Sequence, residues 1–167
     1  MISIRGLHQE DVVAISNWFQ LDPDFPGDFS PFAWDISKEI FLSKILDTII
    51  ASQEIGIKFY AVLEDEEIIG LLVSIHPQNF NYYEVGYYIT PRERGKGYGG
   101  EAVRQLVDLL YNTGNVLRIE AGTSSLNLPS QRLLEKLGFQ REGVRQKTLY
   151  RNGRWEDSYL YSLIKKK

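Results

Sequence analysis

The chain has 167 residues, 43% hydrophobic and 25% charged, with a net charge of −3 at neutral pH. That is the length of one ordinary domain, able to bury a core without staples, and the balance of a folded chain and not a disordered one. The charge offers no basic field for nucleic acid, and the absence of cysteine excludes disulfides, a thiol nucleophile and thiolate metal sites.

Met1–Arg5 lacks the apolar stretch of a signal peptide, and no run is long enough to cross a bilayer. A cytoplasmic protein without a membrane partner is the expectation. The Lys165–Lys167 ending reads as a solvated terminus.

Ile2 and Ile4 alternate with Ser3 and Arg5, which predicts a first strand. From His8 to Gln20, Val12, Ile15 and Phe19 fall at helical spacing. Residues Leu21 to Asp35 hold Pro23, Pro26, Pro31 and Gly27, so no long helix forms there. The same stretch interleaves Asp22, Asp24, Asp28 and Asp35 with Phe25, Phe29, Phe32 and Trp34. Ser37 is a plausible cap for a second helix ending near Ser52.

Ile57–Leu63 and Ile68–Ile75 read as strands joined by the acidic link Glu64–Glu67. After a turn at Pro77 and Asn79, Tyr82–Ile89 is a third strand of an antiparallel group. Its alternation puts Tyr83, Val85, Tyr87 and Ile89 on one face and Tyr82, Glu84, Gly86 and Tyr88 on the other.

Pro91 stops that strand. A helix from about Tyr98 to Asn112 carries the stripe Val103, Leu106, Val107 and Leu110, with Gly114 as its stop. Val116–Ala121 is a buried strand, and Pro129–Leu137 a short helix ending at Gly138. Val144–Tyr150 and Ser158–Leu163 are the last strands, joined through the hairpin signal Asn152-Gly153. The expected architecture is a single α/β domain over residues 1–167, with a mixed, mostly antiparallel sheet of about seven strands and about four helices.

Between the third strand of that group and the next helix lies Arg92-Glu93-Arg94-Gly95-Lys96-Gly97-Tyr98-Gly99-Gly100. A helix start offers unpaired N–H groups and partial positive charge, and glycines let backbone approach a phosphate closely. Together they make an anion nest, to which Arg92, Arg94 and Lys96 add charge. A nucleotide P-loop needs Ser or Thr after its lysine, where Lys96 is followed by Gly97. A dinucleotide fingerprint belongs in an early βαβ unit, not after an antiparallel group in mid-chain. Four glycines, two arginines and a lysine within nine residues are more than a plain connection requires.

These residues resemble a known family. Arg92, Gly95 and Gly97 occupy the Arg/Gln-x-x-Gly-x-Gly/Ala positions of the GCN5-related N-acetyltransferases (GNAT), whose backbone amides bind the coenzyme A pyrophosphate. Asn127-Leu-Pro-Ser130-Gln-Arg-Leu133-Leu-Glu-Lys136-Leu-Gly138-Phe139 is similar to the family's next helix. Together with Glu84-Val-Gly86-Tyr87 and the last hairpin, Arg151–Leu163, it points to the subgroup that acetylates ribosomal-protein N-termini (RimJ/RimL-like). The motifs span Ile57 to the chain end; the N-terminal third matches in element order only.

The resemblance implies the acyl-CoA N-acyltransferase fold, in which the fourth and fifth strands, here Tyr82–Ile89 and Val116–Ala121, splay around the pantetheine arm. It implies acetyl-CoA as co-substrate, held by Arg92, Arg94, Gly95, Lys96, Gly97, Tyr98, Gly99, Gly100, Asn127 and Ser130. It also implies a free amide at Tyr88 or Ile89 as oxyanion donor.

The chemistry needs a neutral amine, an oxyanion donor and a proton for the leaving thiolate. Glu84, mid-strand among aromatics, is the general-base candidate; its alternative is a carboxylate that only pairs with a neighbour or a substrate ammonium. The tyrosine that many relatives use as acid is replaced here by Leu134. Ser130, on one helix face with Asn127 and Leu134, is the replacement candidate, against a first-turn residue bonded to backbone. Asn127 is read as a cofactor contact, an N-cap, or both.

Tyr83, Tyr87 and Tyr88 are read as packing residues. His8 and His76 are too few and too scattered for a metal site, so none is expected.

The acidic, aromatic segment Asp22–Asp35 falls at the family's acceptor wall and suits a cationic amine, whether a peptide N-terminus, a polyamine or an aminoglycoside-like amine. Its other reading is an acidic surface loop with buried aromatic anchors. The function expected is acetyl transfer by direct attack in a ternary complex, in a monomer or homodimer. The alternative is a non-catalytic acyl-CoA sensor, which would lose the acid and base; Glu84, Asn127 and Ser130 are retained.

Overall fold

The computed structural model describes residues 1–26, 29, 37–51, 56–113 and 115–166. β1 (Ile2–Gly6) leads through a 3-10 turn at Gln9–Asp11 into α1 (Val12–Leu21), followed by α2 (Lys38–Ala51), β2 (Ile57–Glu64), β3 (Glu67–Ile75) and β4 (Tyr82–Ile89). A second 3-10 turn at Pro91–Glu93 precedes α3 (Tyr98–Thr113), β5 (Arg118–Ser124), α4 (Leu128–Lys136), β6 (Gln140–Arg151) and β7 (Arg154–Ile164). The strands form one sheet in the order β1-β2-β3-β4-β5-β7-β6, with β4 and β5 parallel and the other neighbours antiparallel. Among the described residues, no helix is long and apolar enough to cross a membrane.

The period-2 pattern of β4 sorts its side chains as expected. Val85 and Ile89 enter a core with Val103, Leu106, Ile119 and Leu134 beneath α3 and α4. Tyr88 enters a second core with Ile15, Trp18, Phe41 and Ile45 beneath α1 and α2. Leu134 is fully buried. It packs in the core beneath α3 and α4, and truncating such a leucine to alanine costs about 2–5 kcal/mol.

Several boundaries differ from the sequence expectation; β5 begins at Arg118 and not Val116, and β7 at Arg154 and not Ser158. The first helix begins as a 3-10 turn because the Asp11 carboxylate takes the His8 amide at 2.7 Å and the Arg5 guanidinium at 2.7 and 2.9 Å. β5 runs on through Gly122 to Ser124, a stretch without apolar alternation held by pairing with Leu160, Tyr159 and Ser158 of β7. β6 starts four residues early; its polar run Gln140–Gly143 is an exposed edge, with register shifts at Arg141/Gly143 and Arg145/Leu149. The Asn152-Gly153 hairpin forms as expected, with φ of 50° and 74°. Asp28, Phe32, Trp34 and Asp35 of the acidic segment, Ser52, Gly114 and Lys167 lie outside the described residues.

Candidate active site

β4 and β5 pair only at Tyr82–Arg118, Tyr83–Ile119 and Glu84–Glu120. Beyond that point β4 stays with β3 as far as Ile89–Gly70, and β5 stays with β7 as far as Ser124–Ser158. The two strands therefore part from residues 85 and 121 onward, and an opening forms in mid-sheet. The glycine turn and the start of α3 lie at the end of β4; the start of α4 lies at the end of β5.

Gly95 and Gly97 take φ of 78° and 83°, the left-handed region that favours glycine. Among the described residues, none accepts a hydrogen bond from the amides of Gly95 to Gly100; the α3 ladder begins with Glu101 donating to the Gly97 carbonyl at 3.1 Å. A Cβ built at Gly95, Gly97 or Gly100 would meet nothing within 4 Å. The turn is thus an open-fronted cradle of unclaimed donors at a helix N-terminus, which fits a diphosphate.

The cations of the turn divide. Lys96 Nζ donates to Glu93 at 2.6 Å, and Arg94 donates from Nε to the Ile89 carbonyl at 2.9 Å and from Nη2 to Asp22 at 2.6 Å. Arg92 is exposed and, among the described residues, has no protein partner. Tyr98 donates its hydroxyl to Glu64.

The amide of Thr90 donates to the Ile69 carbonyl at 2.9 Å, in the same register that pairs Ile89 with Gly70 and Tyr88 with Leu71. Alternation of the antiparallel ladder then directs the Tyr88 amide into β3 and the Ile89 amide toward the opening. Burial first, and then the hydrogen bond with Asp22, push the Tyr88 phenol up, so it remains a neutral donor.

At the other wall, Asn127 Oδ1 caps α4 by accepting the Ser130 amide at 3.2 Å. Gln131 ties α4 to the carbonyls of Ser124 and Ser125 at 3.2 and 3.0 Å. The Ser124 hydroxyl donates to buried Glu156, which also takes Arg151. These bonds fix the start of α4 to the end of β5. The Tyr87 hydroxyl reaches across the opening and lies 2.5 Å from Ser130 Oγ, and it also donates to the Ser130 carbonyl at 3.3 Å. From sequence alone Tyr87 reads as a packing residue. Nothing in the strand pattern predicts a partner 43 residues away.

Glu84 lies on the opposite face of β4 from Tyr87 and Ser130, so the structure does not bring the two expected catalytic side chains together. They border the opening from its two sides. Glu84 is half-buried and, among the described residues, has no hydrogen-bond partner. Burial pushes its carboxyl up, Arg145 opposes the shift and Glu120 reinforces it. Glu120 itself is held by Arg118 at 2.8 Å.

Residues 2–140 match the Acetyltransferase (GNAT) domain family. The uncharacterized N-acetyltransferase YnaD of Bacillus subtilis is 32% identical over 108 residues, 64% of this chain and 64% of its own length. The uncharacterized N-acetyltransferase p20 of Bacillus licheniformis is 29% identical over 168 residues, 99% of this chain and 93% of its own. Among solved structures, the ribosomal-protein-S5-alanine acetyltransferase of Vibrio fischeri superposes with a TM-score of 0.82 at 27% identity, covering 98% of this chain and 92% of that one. The fold, a seven-stranded, mostly antiparallel sheet, is that of acyl-CoA N-acyltransferases. This chain belongs to the GNAT acetyltransferase family, and its relatives and structural neighbours include ribosomal-protein-alanine acetyltransferases.

Proposed function

We propose that this protein transfers an acetyl group from acetyl-CoA to a primary amine by direct attack in a ternary complex. The observation that carries this reading is the row of unclaimed amides from Gly95 to Gly100 at the start of α3, beside the parting strands β4 and β5. Acetyl-CoA supplies a thioester whose carbonyl is open to attack by a neutral amine. The amides of the turn and Arg92 hold the pyrophosphate. The Ile89 amide donates to the oxyanion; one such donor is worth about 2.7–4 kcal/mol of barrier.

Glu84 accepts the proton of the attacking amine, a task helped by its raised pKa. Ser130 donates its proton to the departing thiolate and takes one in turn from the Tyr87 hydroxyl, 2.5 Å behind it, which solvent restores. Base and acid on opposite sides of the opening give the amine and the thiol separate faces of the sheet. Retention of both groups favours an enzyme over a sensor.

The acceptor is an amine cation of the class presented by a protein N-terminus or a polyamine. The likeness to a ribosomal-protein-S5-alanine acetyltransferase supports the first. The described carboxylates Asp24, Glu84 and Glu120 suit either. Free-thiol release from acetyl-CoA, measured against alanine- and serine-starting peptides and against spermidine, tests the reading. Turnover with one class is expected, and CoA binding without thiol release for any amine would leave only the sensor.

A further inference from the structure

Arg94 sits in the glycine turn, yet its guanidinium faces back into the protein. Nε donates to the Ile89 carbonyl at 2.9 Å and Nη2 to Asp22 Oδ2 at 2.6 Å, while its carbon lies 5.4 Å from the centre of the Tyr88 ring. The same Asp22 oxygen accepts the Tyr88 hydroxyl at 2.9 Å. The Asp22 side chain is only 7% exposed. Its other oxygen accepts the Asp24 amide at 3.1 Å, and its carbonyl accepts the Phe25 amide at 3.0 Å. The Phe25 ring packs on Tyr88 with centroids 4.5 Å apart.

One buried carboxylate therefore joins three parts of the chain, with Tyr88 lying 66 residues and Arg94 72 residues beyond Asp22. These are the glycine turn, the last residues of β4 beside the Ile89 amide, and the first turn of chain after α1. Tyr88 shares its β4 face with Glu84, so this junction lies on the amine side of the opening. A fork that grips a carbonyl and a carboxylate together is a task for arginine, whose planar donors are fixed in direction.

We propose that Asp22 is a positioning residue for the cofactor turn. It acts through Arg94, and the turn and the segment Asp22–Phe25 are energetically coupled, so that diphosphate held by the turn steadies that segment. The proposal rests on the acyl-CoA reading above. Arg94 then serves as a strut between two walls of the site and not as a free phosphate cation. Coupling of this kind is reciprocal: whatever steadies one wall favours the other.

The test is calorimetric titration of the whole protein with coenzyme A, alongside amide hydrogen exchange at Asp24 and Phe25. Asp22→Asn and Arg94→Gln are each expected to weaken CoA by about tenfold, and the double variant by no more than the worse single, since both break one device. Arg94→Lys keeps the charge but loses the fork, and is expected to behave like Arg94→Gln. Exchange at Asp24 and Phe25 is expected to slow on adding CoA to the wild type and to stay unchanged in Arg94→Gln.

Wild-type affinity in Asp22→Asn, or in Arg94→Lys, overturns the proposal, as do additive losses or exchange indifferent to CoA. If Asp22→Asn fails to fold, Arg94→Lys and the exchange measurement still decide. A wild type that does not bind CoA is a different result, since it sinks the acyl-CoA reading itself.

Discussion

Replacing Gly97 by alanine separates the cradle's conformation from its contacts. A Cβ at this position meets nothing within 4 Å, so no steric clash with the protein enters. The cost comes from φ of 83°, where an L side chain adds about 1–2 kcal/mol. Part of this is offset by the smaller entropy of the unfolded chain, about 0.4–1 kcal/mol. A net loss near 1 kcal/mol lowers the melting temperature of a domain this size by about 2–4 °C.

The effect on ligand is expected to be larger. Relief of the strained φ rotates the Gly97 and Tyr98 peptides, and a hydrogen bond to a charged group is worth about 1.5–3 kcal/mol. Loss of one such bond weakens binding by roughly ten- to a hundredfold. Gly138→Ala is the control, because Gly138 has φ of 91° after α4 and its added Cβ makes only a 3.6 Å contact with Leu163. It carries a similar strain away from the cradle. Melting curves and calorimetric titration with coenzyme A read the two quantities. The reasoning is refuted if Gly97→Ala binds within twofold of wild type, or if Gly138→Ala weakens binding as much.

Two further outcomes are expected. Burial raises the Glu84 pKa above its unfolded value. The folded protein therefore holds that proton more tightly; the stability it adds is fully present below the unfolded pKa and is lost as pH rises through the folded one. Glu84→Gln should thus melt no lower than wild type at pH 8, yet turn over about 10²–10⁴-fold more slowly. In the wild type kcat/KM is expected to rise as pH climbs past the usual carboxylate range, beyond the slope set by deprotonation of the amine, and Glu84→Gln should lose that extra rise; an unaltered profile would remove Glu84 as base. Ser130→Ala should lower kcat well beyond any change in CoA affinity, and Tyr87→Phe should add little to it, because the two hydroxyls are in contact at 2.5 Å. Undiminished turnover in Ser130→Ala would take the serine out of the reaction.

Much of the fold was legible because its signals are local. The bounds of β4 follow from the sequence, since Pro91 and the alternation from Tyr82 to Ile89 need no knowledge of neighbours. The start of α3 and the tip of the β6–β7 hairpin were marked by glycine conformations that few other residues accept. The strand ends at Gly122–Ser124 and Gln140–Gly143 carry no apolar alternation of their own; pairing with β7 holds them there.

For the site, the glycine turn announced its donors in one stretch of chain. By themselves, the residues determined where backbone amides would be left unpaired and which face of β4 each side chain would take. Tertiary structure alone decided that Arg94 turns inward to Asp22, that Tyr87 meets Ser130, and that Ile89 rather than Tyr88 offers its amide to the opening. Conformation and periodicity are properties of neighbouring residues, whereas each of these three outcomes depends on groups that only the folded sheet brings within reach.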